Sequence, residues 1–524
     1  MRTTTLLCLA ALVCCGLLGC AREPGRDRLL ATPTRPQQTK PVATDQATQQ
    51  PTPRPGAAPL RIVFSGLMQG HLEPCGCASA QAGGIDRRQW WFRQNKQRFD
   101  IKLEGGNLIA GNNPLERLKL MTIQDVLGGV MGYEVFPLGP NDLSLGAEEL
   151  ASYHGPDGAP FLVTDLRKIE GSTARAPYLT HKILPAGGYK VLVLSLAGPD
   201  GMPAKTGYEI LPPERAVRAA IRAAGARGVA WDCSVLFVNY GGAKSARLEA
   251  KQLAGIDIVA AFPEAVETIS KPEIVARDPK TAGVARTVIL FPGWRGKNLL
   301  LWEGKPDAQG SWITTRTHKE ILSVTPSTVP GKRPPGVDPD VWGMLRQHRQ
   351  QVGELGVLEE MANVKATVNG AQYVGANACG RCHHDAFQRW QASPHPFAWK
   401  DLAAREKRDH WPATKHPDCV GCHTVGYGEK SGFVNAQKTP KLTSVGCEAC
   451  HGPGSAHVAA MQPIQTQLDA KQEPPRAEID AAIAKSKPLK PTGKTCFRCH
   501  NFEQSPGFRF NEKWQVIQHG LDKR

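Results

Sequence analysis

The chain has 524 residues, 41% of them hydrophobic and 21% charged, with a formal net charge of +16 at pH 7. That is a soluble globular composition with room for two or three domains, and it excludes a single small domain. The Lys and Arg residues are scattered and form no basic tract with interleaved aromatics, so no nucleic-acid partner is expected.

At the N-terminus Arg2 precedes an apolar run, 6–18, that is too short to span a bilayer and has the length of a signal-peptide core. The run ends in Leu17-Leu18-Gly19-Cys20, which resembles the bacterial lipobox. The resemblance implies a signal peptide over 1–19, acylation of Cys20, and a lipid anchor in the periplasm. Ala21 stands where a lipoprotein retained at the inner membrane has Asp, which directs the expectation to the outer membrane. An ordinary signal peptide with an incidental cysteine is the alternative. Residues 20–59 are rich in Pro, Thr, Gln and Arg and cannot bury enough apolar surface to fold, so they read as a flexible tether.

Folded sequence begins at 60–64, a short strand pattern followed by a Gly-rich loop. Further strand patterns at 100–103, 190–196, 234–238, 256–261 and 287–291 alternate with helical ones at 213–226 and 245–254. The rhythm predicts a layered α/β domain over 60–325.

Its loops, led by Gly70-His71-Leu72-Glu73-Pro74-Cys75 and Gly83-Gly84-Ile85-Asp86-Arg87-Arg88, resemble the calcineurin-like metallophosphoesterases of the 5′-nucleotidase branch. That family builds a two-metal centre from Asp and His at strand ends. Carried over by position, those ligands fall here on Leu67 and Gln69, on Glu104 and Asn107, on Asn141, on Asn239, and on Phe262 and Glu264. Leu and Phe cannot ligate a hard dication, and Asn and Gln do so weakly. The resemblance therefore implies the fold with little prospect of hydrolysis. Cys75 and Cys77, separated by one Gly, are a possible thiol site for a soft metal or redox exchange, or an incidental pair in a turn. Cys233 reads as a buried core residue.

A Pro-rich stretch and a helical pattern from 341 to about 362 make up a connector over 326–370. Beyond it, over 371–524, Cys-x-x-Cys-His occurs four times: Cys379, Cys382 and His383; Cys419, Cys422 and His423; Cys447, Cys450 and His451; Cys496, Cys499 and His500. The two thiols are spaced to form thioethers with a porphyrin edge, and the histidine beside them ligates iron, so the pattern predicts four c-type haems. A structural zinc site needs no His after each Cys-x-x-Cys unit. Four ferric haems with ionised propionates bring about one negative charge each, so the holoprotein is less basic than its sequence. Of the 15 cysteines, those outside the motifs lie in the leader or the middle, which leaves little material for disulfides. Covalent haem attachment takes place outside the cytoplasm, in agreement with export. With so many haems in so short a span, the expected fold is mainly α-helical and loop-rich around porphyrin, a multihaem cytochrome domain.

The stretch 379–395, ending in Trp390-Gln391-Ala392-Ser393-Pro394-His395, resembles the tetrahaem cytochromes of the c-552/554 type from ammonia oxidisers. So does 447–457, which ends in Gly452-Pro453-Gly454-Ser455-Ala456-His457. The resemblance implies distal iron ligands exchanged between haems: His457 opposite His383, His395 opposite His451, and His519 opposite His500. The haem on His423 is five-coordinate in those relatives. Here either His410 or His416 can fill the position; His384 reads as a surface residue, and Glu448 as a group supporting the ligands.

Three functions compete. The first is an electron-transfer lipoprotein that exchanges electrons with redox partner proteins and carries an inactive phosphoesterase-like docking or binding module. The second is a haem enzyme acting on a small nitrogen or sulfur compound at the second haem. The third is a 5′-nucleotidase-like hydrolase fused to a cytochrome. Whether the chain is an enzyme is left open, with electron transfer favoured.

Overall fold

Strand β1 (Leu60–Ser65) opens an α/β body that a computed structural model describes in four layers. The described residues are 58–74, 81–153, 160–170, 172, 178–198, 207–263, 268–276, 286–323, 329, 331–501 and 504–519. The expected leader with Cys20, the tether up to 57, Glu264, and the thiols Cys75 and Cys77 lie outside them.

After β1 come α1 (Ile85–Gln94), β2 (Ile101–Leu103), α2 (Pro114–Ile123), β3 (Phe136–Pro137), α3 (Pro140–Leu143) and α4 (Ala147–Ser152). Four short strands follow, β4 (Phe161–Leu162), β5 (Leu166–Lys168), β6 (Tyr178–Leu179) and β9 (Tyr208–Ile210), interrupted by the hairpin of β7 (Lys182–Ala186) and β8 (Tyr189–Leu196). Then α5 (Pro213–Ala226), β10 (Cys233–Val238), α6 (Gly242–Gln252), β11 (Ile258–Ala261), β12 (Ile269–Ala276), β13 (Arg286–Phe291), β14 (Asn298–Pro306) and β15 (Trp312–Ile321) complete the body. Each strand and helix predicted from 60 to 291 falls on one of these elements. The β14–β15 hairpin was not predicted, because Thr314, Arg316 and His318 give β15 a polar, half-solvated pattern rather than an apolar one.

One sheet runs β15-β14-β1-β2 and the larger one β12-β13-β11-β10-β8-β7. Their inner faces meet through Ile62, Phe64, Leu103, Val193, Val235, Phe237, Ile258 and Leu290. The alternate residues point the other way, as the two-residue strand period requires. Leu192, Leu194, Leu236, Val259 and Ile289 pack on α5 and α6, and Val63 and Leu299 face the layer of α1 and α2. With both faces of the sheet covered, β8 and β10 read as near-continuous apolar runs. Helix α5 starts with Pro213, whose missing N–H costs nothing in a first turn, and buries the stripe Ala216, Val217, Ala220 and Ala224.

The predicted connector helix is two helices, α7 (Pro339–Glu354) and α8 (Val357–Glu360), because Gly356 sits between them at φ 70°. Asp338 caps α7 by accepting from the amides of Asp340 and Val341 at 3.1 and 3.2 Å. Its buried stripe is Val341, Leu345, His348 and Val352.

The remainder is helical: α9 (Ala376–Gly380), α10 (His384–Gln391), α11 (Ala398–Asp409), α12 (Pro417–His423), α13 (Glu448–His451), α14 (Ser455–Asp469), α15 (Arg476–Ser486), α16 (Gly493–Phe497) and α17 (Phe510–Ile517). Side-chain packing here is concentrated around the second motif, where Leu358, Leu402, Trp411, Val420, Phe433 and Leu442 form one cluster. No described residue of α15, α16 or α17 is buried; these helices wall a chamber instead.

Candidate functional site

Each motif closes a single helical turn. The amides of His383, His451 and His500 donate to the carbonyls of Cys379, Cys447 and Cys496 at 3.0, 3.0 and 2.9 Å. A turn of this kind sets the two thiols and the imidazole on one side of the helix. All eight motif cysteines and all four motif histidines line one chamber of about 2730 Å³, several times the 300–1,000 Å³ typical of a small-ligand pocket. The eight thiols are free of disulfides. Thiol pairs and imidazoles turned into one large cavity suit a c-type haem at each motif.

Three imidazole pairs face one another. His383 and His457 have ring centroids 6.1 Å apart with planes at 22°. His500 and His395 stand 6.1 Å apart, and His451 and His519 stand 5.7 Å apart. Two imidazoles on opposite sides of one metal ion, each nitrogen about 2 Å from it, hold their centroids roughly 6 Å apart. His395 and His519 have thus exchanged the partners expected from the family resemblance: His395 goes to the fourth motif and His519 to the third. The reason is the C-terminal path, in which Leu489 holds His451 toward α17 and its following turn, while His395 on the turn after α10 reaches His500.

The rings are oriented from behind. Nδ1 of His423 donates to the Ala398 carbonyl at 2.6 Å, Nδ1 of His451 to the Leu489 carbonyl at 3.0 Å, and Nδ1 of His519 to the Ile517 carbonyl at 3.0 Å. Nδ1 of His457 and of His500 meets the hydroxyls of Ser486 and Ser505 at 3.3 and 3.1 Å. Where the acceptor is a carbonyl, Nδ1 must carry the proton, and Nε2 keeps its lone pair for a metal. Burial holds His395, His451, His457 and His500 below the usual imidazole range, which favours that neutral form.

Among the described residues, no imidazole ring pairs with His423. His416 lines the chamber but its ring packs edge-on against Trp411, with centroids 5.7 Å apart. His410 and His384 do not line the chamber. Contacts between thiols connect the motifs. Cys379 hydrogen-bonds Cys447, and Cys422 hydrogen-bonds Cys499, holding the Cys499 thiol down at about 7. Cys450 stands close to Cys496 and Cys499, with burial and those neighbours pushing its thiol up to about 11. The first motif therefore touches the third, the third the fourth, and the fourth the second.

Glu448 is a backbone clamp. Its buried carboxylate accepts from the amides of Val374 at 2.9 Å, Gly375 at 2.7 Å and Gly454 at 2.7 Å, tying the entry to α9 to the exit from α13.

In the α/β body the positions at which the family resemblance would put metal ligands serve packing and caps. Leu67 bridges to Trp294, and Phe262 stacks on Phe237 at 6.3 Å and covers Gly105, where a Cβ would come within 2.7 Å of the ring. Asn107 accepts from the Asn141 amide at 3.0 Å, and the Asn239 amide group donates to Leu138 O at 3.3 Å and Ser195 Oγ at 3.2 Å. Glu104 is taken by Arg88 at 2.5 Å, both side chains fully buried. Among the described residues no group of three His, Cys, Asp or Glu is placed to hold a metal ion outside a haem.

The outer rim of the same loops, 69–74 with Gly83 and Gly84, lines the chamber. Lys119 of α2 reaches Asp418, the residue before Cys419, at 3.0 Å and Glu116 at 2.8 Å. Arg349 of α7 pairs with Glu73 at 2.6 Å and lies over the Trp411 ring at 4.7 Å. Arg88, Lys119, His348 and Asp418 were missed by sequence reasoning; the available signal was a charged residue on an otherwise apolar helix stripe.

Residues 378–452 match the family described as cytochrome c554 and c-prime. Cytochrome c-554 of Nitrosomonas europaea is 40% identical over 93 residues, which is 16% of this chain and 40% of that relative's length. This chain therefore spans less than half of the curated relative. The reduced-state structure of cytochrome c554 from the same organism aligns over 29% of this chain and 92% of its own, at 24% identity and a TM-score of 0.23. The 5′-nucleotidase precursor of Thermus thermophilus aligns over 61% of this chain and 63% of its own, at 17% identity and a TM-score of 0.47. The NAD nucleotidase of Haemophilus influenzae aligns over 66% and 68%, at 13% identity and a TM-score of 0.48. Residues 378–452 thus match the cytochrome c554 and c-prime family, and the layered α/β body precedes them in the same chain.

Proposed function

We propose that this protein is an exported multihaem electron carrier with four covalently attached haems, borne on a non-hydrolytic phosphoesterase-like body and tethered to the membrane through Cys20. The observation that carries the reading is the convergence of twelve motif residues on one chamber, with three imidazole pairs at 5.7 to 6.1 Å. Haem held there supplies reversible one-electron exchange. The chain does the rest: it brings the attachment cysteines together in the motif order first-third-fourth-second and orients Nε2 through Nδ1 bonds. The lipobox-like Leu17-Leu18-Gly19-Cys20 supports the anchor. The pairing of Arg88 with Glu104, and the apolar Leu67 and Phe262, support loss of hydrolysis, since a guanidinium now supplies the positive charge that metal ions give in the active family. Intact-mass analysis of protein made in a host competent for cytochrome maturation tests this: chain plus four haems is expected, and bare polypeptide overturns it.

One observation favours a second reading, a haem enzyme for a small nitrogen or sulfur compound: His423 alone has no facing imidazole among the described residues. Carbon monoxide that perturbs about one quarter of the reduced haem spectrum favours this reading, and an unaltered spectrum removes it.

A further inference from the structure

From the last turn of α15 through the fourth motif, 485–498, the chain carries Lys485, Lys487, Lys490, Lys494 and Arg498 and no carboxylate. All five side chains are exposed. Elsewhere in the described chain many surface cations are paired, as in Arg61 with Asp100, Arg117 with Glu149 and Arg247 with Glu273. Among the described residues, the acids nearest this strip in sequence are engaged, Asp480 by Arg476 at 3.0 Å and Glu512 by Arg509 at 3.2 Å; Glu503 lies outside the described residues. Among the described residues none of these five cations has an acidic partner, so the strip is a concentration of positive surface charge.

It is also fastened to the electron-carrying centre. The Leu489 amide donates to the His451 carbonyl at 3.0 Å, and the Leu489 carbonyl accepts from His451 Nδ1 at 3.0 Å. Arg498, inside the fourth motif, donates from Nη2 to the Ala449 carbonyl of the third motif at 2.6 Å. Lys487, Lys490, Lys494 and Arg498 border the chamber. The positive charge thus surrounds the point where the third and fourth motifs touch, one contact away from both the first and the second.

We propose that this strip is the docking face for a one-electron redox protein with a carboxylate-rich surface, and that electrons enter or leave at the third and fourth motifs. The inference rests on haem occupying those motifs. The exchange balances as one electron passing between a reduced centre of one protein and an oxidised centre of the other, with no proton or bond transferred. Rim charges of this kind act chiefly by speeding association, and salt screens them within about 8 Å at physiological ionic strength.

The test uses the full-length holoprotein and the variant K485E/K487E/K490E/K494E, with K168E/K190E/K244E/K251E on the α/β body as a control of equal net charge. The probe is hexacyanoferrate(III) in stopped-flow oxidation of the reduced protein, alongside calorimetric binding of redox-inert hexacyanocobaltate(III). At low ionic strength the strip variant should react about tenfold more slowly, lose most of its salt dependence and bind the inert anion more weakly, with the control within about twofold of wild type. Equal losses in both variants, or no loss in the strip variant, overturn the proposal. Two further results also overturn it. One is a fall in haem content of the strip variant by pyridine haemochrome, which would assign the lysines to haem propionates. The other is loss of binding to phosphatidylglycerol vesicles with an unchanged oxidation rate, which would assign them to a membrane. Absence of haem from the wild type is a separate outcome and strikes the reading of the motifs instead.

Discussion

Glu448 shows how much one side chain organises here. Three buried or half-buried amides from two segments depend on its carboxylate. Its loss should cost more than a surface group, because a buried N–H left without a partner costs about 1–3 kcal/mol. Glu448→Ala is expected to lower unfolding free energy by about 3 kcal/mol in denaturant titration of the holoprotein; a change under about 1 kcal/mol contradicts the clamp. His395 makes a sharper case. His395→Ala should generate high-spin character at the fourth motif, identifiable by paramagnetic contacts to Phe508, whose ring stacks on His500 at 4.4 Å. The same signal arising beside Leu489 would restore the pairing expected from the family resemblance.

At the scale of elements, α2, α7 and the start of α12 meet in a polar seam in which Glu116, Lys119, His348 and His416 are buried and Asp418 reaches solvent. Lys119 joins Glu116 and Asp418 across it, and burial, His416 and Lys119 set His348 low. The seam should be broken by Lys119→Met, at a cost of about 3 kcal/mol for leaving the buried Glu116 carboxylate without its cation, measured as a fall in denaturation midpoint. The histidines give the seam a pH dependence. Burial pushes His416 down to about 4, and burial with His416 pushes His348 down to about 3. Both stay neutral in the folded chain while the unfolded chain takes up protons below about pH 6.5. Their stabilisation is therefore present at neutral pH and lost as pH falls from about 6.5 toward 4, by roughly 3 kcal/mol for His416 alone. Asp86 and Asp142 act in the opposite direction. Burial holds each carboxyl up at about 7, so the folded chain binds protons first and gains stability as pH falls. The informative quantity is the difference between wild type and His416→Gln in thermal midpoint: wild type should lose ground to the variant between pH 6.5 and 4.5, and parallel curves would show that His416 is not held neutral.

For the whole molecule, the body and the C-terminal helices share one chamber wall, since 69–74, Lys119 and Arg349 line the cavity that holds the four motifs. The α/β body is thus more than a carrier attached by a linker. None of the described helices is long and apolar enough to cross a membrane.

Some of this was written in the order of residues alone. The four Cys-x-x-Cys-His motifs are local, since thioether spacing and the adjacent histidine fit within one helical turn, and the strand and helix rhythm of the body follows from apolar periods of two and 3.6 residues. That Leu67 and Phe262 have no metal-ligating side chain was equally legible, residue by residue. What sequence could not determine was which distant histidines meet. His395 and His500 are separated by 105 residues, and no local rule distinguishes His451 from His500 as the partner of His395. Only the path of the chain through Leu489 and α17 decided it, as only close packing of α2 and α7 on α12 brought Lys119 to Asp418. Local chemistry is carried by spacing along the backbone; pairings across the fold depend on where buried surfaces come together.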